Sequence, residues 1–155
     1  MCAVSVLFFA SCQTADSKDA NGDTPSAVVE KMYQAIQAQD FATAVSYNKI
    51  PDTVKIKLEK EGNIYEQFQG CPTDKDGKVI VTGDEWKAFL MEKMQMQSEG
   101  YTLDSWEILS EEVSNTDPNA AKVKTRIHLT REGVKSETDC SFPMKRENGI
   151  WLIIG

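Results

Sequence analysis

Histidine and closely spaced cysteines, the usual protein ligands of zinc, are scarce in this sequence. There is one histidine, His128, and the two cysteines beyond the first twelve residues, Cys71 and Cys140, are far apart. A zinc site needs several such ligands at short, regular spacings, so no metal site is predicted. The chain also lacks a glycine-rich phosphate loop and a recognisable pair of nucleophile and base. We therefore predict no cofactor and no catalytic residue.

Positive charge and long apolar runs are also in short supply. The 155 residues include 17 Lys and Arg against 24 Asp and Glu, which gives a formal net charge of -7. An acidic domain repels phosphate backbones, so nucleic acid is not expected as a partner. No apolar run approaches the roughly 20 residues of a membrane-spanning helix. Hydrophobic residues still make up 41% of the chain, which suffices for the core of one globular domain.

The N-terminal stretch "MCAVSVLFFASC" has the character of the apolar region of a secretory signal. No Lys or Arg precedes Val4, so we expect that the true start lies upstream or that the gene start is trimmed. The end of the run, from Phe9 to Cys12, resembles a bacterial lipobox. That resemblance implies cleavage before Cys12 and a diacylglycerol on its thiol, with a buried N-terminal strand as the alternative. We therefore interpret residues 1–12 as a lipoprotein signal peptide and the membrane as a partner through Cys12.

The next segment, "QTADSKDANGD" (residues 13–23), has no bulky hydrophobic residue and no apolar periodicity. Such a segment buries little, so we predict a flexible acidic tether that reaches roughly 35 Å when extended. Its Ser17-Lys18-Asp19 resembles the acidic tag of some surface lipoproteins, although a soluble spacer is the alternative. The expected location is the bacterial cell envelope, on an outer membrane, facing the periplasm or the cell surface. There a disulfide between Cys71 and Cys140 is slightly favoured over two free thiols.

Residues 24–155 are predicted to form a single domain that begins with helices. Thr24 and Pro25 are suited to the start of a first helix, and Asp40 to the start of a short second helix that buries Phe41 and Val45. Residues 52–61 suggest a third, more charged helix that ends at Gly62, and residues 63–81 are loop-like. A capping box of Thr82 and Glu85 then predicts a helix with an apolar face. Met94 on that face belongs either to the core or to a ligand surface.

From Tyr101 the apolar residues alternate, which predicts strands. In "AKVKTRIHLT" and "VKSETDCSFPM" the inward positions run from Ala121 to Leu129 and from Val134 to Met144. A turn at residues 132–133 pairs these two strands, with Arg126 opposite Asp139 and His128 opposite Glu137, and Asn148-Gly149 starts a last strand, "IWLII". The predicted class is α+β, with N-terminal helices packed on one face of a curved antiparallel sheet of about four C-terminal strands.

The quoted patterns resemble a known fold family. "TPSAVVEKMYQAIQAQDFATAVSY" resembles the opening of the nuclear transport factor two-like, or SnoaL-like and cystatin-like, cone. "YTLDSWEILSEEVSNTDPNAAKVKTRIHL" and "MKRENGIWLI" are similar to a branch of small bacterial lipoproteins of unknown function, sometimes labelled lumazine-binding-like. The resemblance implies a curved sheet that wraps helices around a pocket. Relatives include isomerases, dehydratases, ligand binders and dimeric proteins, so the fold does not choose among these functions.

The sequence favours a non-catalytic, lipid-anchored domain that binds a small ligand or an envelope protein. The predicted inward strand positions hold no carboxylate and no histidine. The candidate pocket residues are Tyr33, Tyr47, Met94, Thr125, Ser136, Thr138 and Cys140. The alternative is a homodimeric scaffold that associates through the apolar outer face of the last strand, formed by Ile150, Leu152 and Ile154, unless residues 63–81 cover that face. An isomerase or dehydratase of the SnoaL-like kind is the least favoured prediction.

Overall fold

A curved, four-stranded antiparallel sheet with helices on one face forms the frame of this chain. The computed structural model describes residues 17–58, 67–68 and 70–154. The helices are α1 (Pro25–Gln37), α2 (Phe41–Ser46) and α3 (Gly83–Gly100). The strands are β1 (Thr53–Ile56), β2 (Val79–Thr82), β3 (Thr102–Val113), β4 (Ala120–Arg131), β5 (Val134–Glu147) and β6 (Ile150–Ile153). The α+β class and the four C-terminal strands predicted from the sequence are confirmed.

The helices begin where the sequence places their caps. The Thr24 hydroxyl accepts a hydrogen bond from the backbone N–H of Ala27 at 3.2 Å, and Pro25 occupies the first turn, where its missing N–H costs nothing. Asp40 caps α2 in the same way. Thr82 and Glu85 form the predicted capping box at the start of α3. The local sequence therefore marks where each of these three helices starts.

The main core lies between α1 and the concave face of the sheet. Val28, Val29 and Met32 of α1 pack into it, with Ala44 of α2 beside them. The sheet contributes Val123 of β4 and a set of buried residues near the last turn: Met144, Trp151 and Ile153. Trp151 and Ile153 were predicted to point inward, and both are buried.

Helix α1 crosses the sheet from one end to the other, antiparallel to β3. Near its start, the N–H of Ser26 donates to the Glu111 carboxylate at 2.8 Å. At its end, the Gln37 amide donates to the carbonyl oxygens of Leu103 and Asp104. We call the sheet end with the start of β3 and the turn at residues 132–133 the β4–β5 end. The opposite end, with the β3–β4 loop and the turn at residues 148–149, is the β5–β6 end.

The β4–β5 hairpin has the predicted register but is only partly covered. Arg126 pairs with Asp139 at 2.7 Å, and His128 lies 3.3 Å from Glu137 and 3.0 Å from Glu107. The prediction that the early inward positions of β5 are buried is wrong: Val134, Ser136 and Thr138 are exposed. They lie on the concave face, but the hairpin extends past the helices that cover the rest of that face. The alternation of apolar residues predicts which face of the sheet a residue lies on. It does not predict how far along the strand the covering helices extend.

A second core forms beside the first and overturns the prediction for residues 52–61. Residues 53–56 form β1, which pairs with β2, so the predicted charged helix is wrong there; residues 59–66 lie outside the described residues. Part of the predicted loop at 63–81 is likewise the strand β2. The buried members of the second core are Phe68, Val79, Val81 and Phe89. Burial of Val79 and Val81 against α3 makes the strand pairing favourable, an effect that the local charge pattern does not reveal.

The prediction of a flexible tether over residues 13–23 is also wrong for its described part, residues 17–23, which contacts the domain. Residues 1–16, with the predicted signal peptide, Cys12 and the first part of the tether, lie outside the described residues. Residues 17–23, which we call the strap, lie against the β5–β6 end. The Trp151 indole N–H donates to the Ser17 carbonyl at 2.7 Å, and the N–H of Ala20 donates to the Gly149 carbonyl at 2.7 Å. Hydrogen bonds rather than apolar burial hold the strap, so hydropathy gave no sign of it.

The carboxylate of Asp19 is the centre of the strap. It accepts hydrogen bonds from the backbone N–H groups of Asn21 and Asp23, and from that of Trp151 at the start of β6. Burial opposes ionisation of Asp19, but these backbone hydrogen bonds outweigh it and hold the pKa of Asp19 below its ordinary value. The side chain of Arg146 reinforces the site, donating to the Lys18 carbonyl at 3.1 Å.

Candidate functional site

A cavity of about 410 Å³ lies at the β4–β5 end, between the last turn of α1, the last turns of α3 and the sheet. Its wall is mainly apolar. The apolar lining residues are Ile36, Met94, Leu103, Ile127 and Leu129. A space of this size, enclosed by elements that meet at the end of a sheet, matches the usual dimensions of small-molecule sites.

Uncharged polar groups complete the lining: Tyr33, Gln37, Gln39, Gln97, Ser98, Tyr101 and Thr102. Gln37 is held in place, because its amide spans the carbonyls of Leu103 and Asp104 at 3.1 and 3.2 Å. Tyr101 is held by Arg131, whose guanidinium stacks 5.2 Å from the ring centroid and donates to the phenol oxygen at 3.1 Å. The described residues that line the cavity therefore include no carboxylate, imidazole, thiol or cationic side chain.

Gln39 occupies a backbone position that usually belongs to glycine. The N–H of Asp40 bonds to the Ala35 carbonyl and the N–H of Gln39 to the Ile36 carbonyl, which is a Schellman motif at the end of α1. Gln39 accordingly has a φ of 60°, in the left-handed region. Side chains pay a conformational cost there that glycine does not. The amide of Gln39 thus lines the cavity, although the backbone conformation of this residue is unfavourable for a side chain.

The hydroxyl of Tyr33 lies at the junction of the cavity and the main core. It is 2.8 Å from the hydroxyl of Thr125, which is completely buried on β4. The Tyr33 ring packs against Trp106 and Phe142, with centroids 5.5 and 5.8 Å away. Burial raises the pKa of Tyr33, although the Thr125 hydrogen bond acts in the opposite direction. The phenol is therefore neutral and fixed at neutral pH.

The predicted pocket residues divide into three groups. Tyr33 and Met94 line the cavity. Thr125 and Cys140 lie behind Tyr33: they are register partners on β4 and β5, and both approach the phenol oxygen. The remaining three residues lie elsewhere. Tyr47 follows α2, and its carbonyl oxygen accepts a hydrogen bond from the Ile153 N–H, while Ser136 and Thr138 are exposed on the uncovered part of β5.

Sequence reasoning missed the amides that line the cavity and the distal positions of β4. Ile127 and Leu129 were assigned to the inward face without being placed at a pocket. Gln37 and Gln97 had no signal, because a glutamine near the end of a helix is usually a solvated residue. The left-handed position after α1, where glycine is expected, is the one feature that could have marked Gln39.

The two domain cysteines are free thiols in different parts of the molecule. Cys71 packs beside the second core, whereas Cys140 is on β5 next to Tyr33. The disulfide favoured by the sequence is therefore absent from the structure. Their membership of separate clusters is a tertiary property that the count of cysteines could not supply.

The apolar outer positions of β6 are partly covered. Of the segment proposed from the sequence as their cover, residues 63–66 and 69 lie outside the described residues. Ile150 is 40% exposed, and Leu152 and Ile154 are half-buried. Residues 47–49 pair with the free edge of β6, through hydrogen bonds between Tyr47 and Ile153 and between Lys49 and Ile153. The buried residues of 68–81 belong to the second core, which does not include these three side chains.

Among the described residues, no group of three or more histidine, cysteine, aspartate or glutamate side chains is arranged to hold a metal ion. None of the described helices combines the length and the apolar character needed to cross a membrane.

Solved structures with similar folds were found. No protein-family model matches the chain, and the search of curated proteins gave no match. An NTF-2 like protein of unknown function from Shewanella oneidensis is 16% identical with a TM-score of 0.51, and the match covers 83% of this chain and 91% of that one. A domain of unknown function with a cystatin-like fold from Nostoc punctiforme is 14% identical with a TM-score of 0.51, over 82% of this chain and 68% of that one.

Enzymes also occur among the similar structures. An LEH-like epoxide hydrolase of M. tuberculosis is 14% identical over 84% of this chain and 75% of its own, with a TM-score of 0.45. Identities this low report on the backbone and not on the chemistry of a site. The first two structures match more than four fifths of this chain at a TM-score of 0.51, and the chain has the nuclear transport factor two-like, cystatin-like fold.

Proposed function

We propose that this domain is a non-catalytic binding module that takes a small, uncharged ligand into the cavity at the β4–β5 end and is anchored to a membrane through Cys12. The observation that carries the binding proposal is the composition of the cavity wall. Five apolar side chains form most of the surface, and amides and hydroxyls supply the polar contacts. A charged ligand would lose its hydration there without gaining an ionic partner, which costs several kcal/mol.

The amide groups favour a ligand with carbonyl or hydroxyl groups along an otherwise apolar body. An amide both donates and accepts hydrogen bonds, so Gln39 and Gln97 can satisfy either kind of group. Gln37 already uses its donor on two backbone carbonyls, and its amide oxygen faces no such restriction. These contacts would fix the orientation of the ligand, while burial of its apolar part would supply most of the affinity.

A binder is preferred to an enzyme because the described residues that line the cavity include no pair of groups suited to proton transfer. The titratable side chains among its lining residues are the phenols of Tyr33 and Tyr101. The pKa of Tyr33 is raised by burial, which moves it away from the neutral range in which a general acid or base works best. Tyr101 is committed to Arg131. The residues that line the cavity are thus better suited to binding a ligand than to catalysing its reaction.

The anchor part of the proposal rests on the sequence "LFFASC" and its cysteine, Cys12. Its test is independent of ligand binding. The full chain, expressed with its N-terminal segment in a bacterial host, should sediment with membranes and incorporate labelled palmitate, whereas the Cys12→Ala variant should do neither. If the variant sediments as the unchanged protein does, lipid attachment at Cys12 is wrong.

The binding proposal is tested with two methionines of the same helix. Met94 lines the cavity, whereas Met96 is 50% exposed and faces away from it. Met94→Trp should fill part of the cavity, while Met96→Trp adds the same side chain at a solvent position. With the uncharged dye Nile red as the probe, we expect saturable binding to the unchanged protein and to Met96→Trp, and at least a tenfold weaker affinity for Met94→Trp.

Thermal melts must accompany these titrations, because a misfolded variant would also lose the dye. Native mass spectrometry of the unchanged protein should in addition detect a bound small molecule carried through purification. Equal Nile red affinities for two folded variants, or stronger binding of an anionic dye of similar size, would contradict an uncharged-ligand cavity at this place.

The second candidate is a homodimeric scaffold that uses the outer face of β6. It is favoured by Ile150, an apolar side chain 40% exposed beside the half-buried Leu152. If this face is an interface, Leu152→Lys should halve the solution mass of a dimeric protein and leave its melting temperature unchanged. A monomeric unchanged protein would remove this candidate.

A further inference from the structure

The strap and the cavity lie at opposite ends of the same sheet. The strap bonds to Gly149 and Trp151 at the β5–β6 end. The cavity is lined by Leu103 at the start of β3 and by Leu129 near the end of β4. Ala120 begins β4 beside the strap end, and Leu129 is nine residue steps further along the strand. At about 3.3 Å per residue, the two sites are roughly 30 Å apart along the strand.

The strap also fixes where the chain leaves the domain. Its backbone and its Asp19 carboxylate make hydrogen bonds to two successive structural features, the 148–149 turn and the first residues of β6. Arg146 holds the same region together: it stacks 5.1 Å from the Trp151 ring centroid and donates to the Pro118 carbonyl of the β3–β4 loop. Ser17, the first described residue of the strap, therefore lies at the β5–β6 end.

We infer that the strap orients the anchored domain with its β5–β6 end toward the bilayer and its cavity away from it, so that the cavity takes its ligand from the aqueous phase. This inference rests on the proposed anchor at Cys12. Only five residue steps separate Cys12 from Ser17, which limits the spacer to roughly 18 Å even when fully extended. The 35 Å expected for a free tether is not available, because residues 17–23 are part of the fold.

The short spacer has a consequence for the kind of ligand. A cavity roughly 30 Å along the strands from the anchored end reaches the membrane surface only if the whole domain lies on its side. A molecule that resides in the bilayer would have to leave it and cross this distance in water. The cavity is thus placed for a water-borne molecule with an apolar body, and not for extraction of a membrane lipid.

The test measures the orientation of the full lipidated chain in vesicles. A fluorescent non-natural amino acid is placed at Asn115, which is exposed in the β3–β4 loop, or at Glu99, which is exposed near the end of α3 beside the cavity. Energy transfer to an acceptor attached to lipid headgroups should be clearly more efficient from position 115 than from position 99. Equal efficiencies, or the reverse order, would overturn the inference.

A variant of the strap tests whether the strap itself sets the orientation of the domain on the membrane. Asp19→Ala combined with Ala20→Pro removes the carboxylate and one backbone donor, and Asp76→Ala removes an exposed carboxylate far from the strap as the control. The difference between the two labels should shrink in the strap variant and persist in the control. A difference that persists in the strap variant would show that the strap does not set the orientation, and would overturn the inference.

Two outcomes separate this inference from the proposed function. If Cys12→Ala remains membrane-bound, the anchor itself is wrong, whatever the labels report. If the anchor is confirmed and the label at 99 lies nearer the bilayer, only the orientation is wrong. A ligand source in water predicts in addition that the anchored protein and the soluble Cys12→Ala form bind Nile red with the same affinity, once the dye taken up by lipid is measured with protein-free vesicles and subtracted. A tenfold loss on anchoring would count against an accessible cavity.

Discussion

The hydrogen bond between Tyr33 and Thr125 is the clearest place to test how the cavity is built. Thr125 is completely buried and Tyr33 is 4% exposed, with 2.8 Å between their hydroxyl oxygens. Tyr33→Phe leaves the Thr125 hydroxyl without this partner, and Thr125→Val leaves the Tyr33 hydroxyl without it. A buried polar group that loses its partner costs about 1–3 kcal/mol of unfolding free energy. Each single change should therefore destabilise the domain by that amount.

The double variant distinguishes a specific bond from general packing. Replacing both groups by apolar ones of the same shape removes the unpaired hydroxyl, so the combined cost should be close to that of one single change. Urea unfolding of the four proteins should give a coupling free energy of about 1–2 kcal/mol. The thiol of Cys140 lies beside the phenol, but sulfur is a weak acceptor and should rescue little. If the losses of unfolding free energy in the two single variants add up to that of the double variant within about 0.5 kcal/mol, the reasoning is refuted.

The same tyrosine gives the stability a pH dependence at the alkaline end. Burial raises the pKa of Tyr33 in the folded domain above its ordinary value of 10.0, which applies to the unfolded chain. Below pH 10 both states hold the proton, so this contribution is fully present. As the pH rises above 10, the unfolded chain ionises first and stability is lost. Unfolding midpoints measured from pH 8 to pH 11 should fall less steeply for Tyr33→Phe than for the unchanged protein.

Three further predictions concern packing and redox state. Trp151→Ala should cost about 3–5 kcal/mol in urea unfolding, because the side chain is fully buried and its indole N–H holds the strap; a loss under 1 kcal/mol would contradict this. Gly83→Ala should lower the melting temperature, since a Cβ there would lie 2.5 Å from the Pro51 carbonyl oxygen, whereas Gly70→Ala, with open space around it, should not. Thiol titration of denatured, unreduced protein should find both Cys71 and Cys140 reactive, and a bridged pair would contradict the structure.

Local chemistry determined much of the fold from the sequence. Caps at Thr24, Asp40 and Thr82 mark the starts of all three described helices, because the cap bonds involve residues only three positions apart. The turns at 132–133 and 148–149 were predicted for a similar reason. Their residues adopt the positive φ values that tight hairpins require, and the alternation on either side then sets the register and the faces. These features are encoded within a few residues, so a single sequence reveals them.

The candidate site could be predicted only in part. Tyr33 and Met94 were identified because each lies on the apolar face of its helix, and both line the cavity. Ser136 and Thr138 shared the correct face of β5 but extend beyond the covering helices. Gln39 and Gln97 were missed, because a cavity between elements depends on where α1 and α3 end relative to the sheet. No local sequence pattern indicates where these helices end relative to the sheet.

The tertiary structure alone decided the parts of the chain that depend on distant partners. Residues 53–56 form a strand because Val79 and Val81 pair with them and are buried by α3, although the local charge pattern favours a helix. The strap is ordered because Asp19, which hydropathy assigns to solvent, accepts a backbone hydrogen bond from Trp151, 132 residues away. The sequence determines what a residue can bond to within its own turn. The folded structure decides which backbone groups have no partner in a helix or sheet. Those groups then bond to a distant polar segment, as the N–H of Trp151 bonds to Asp19.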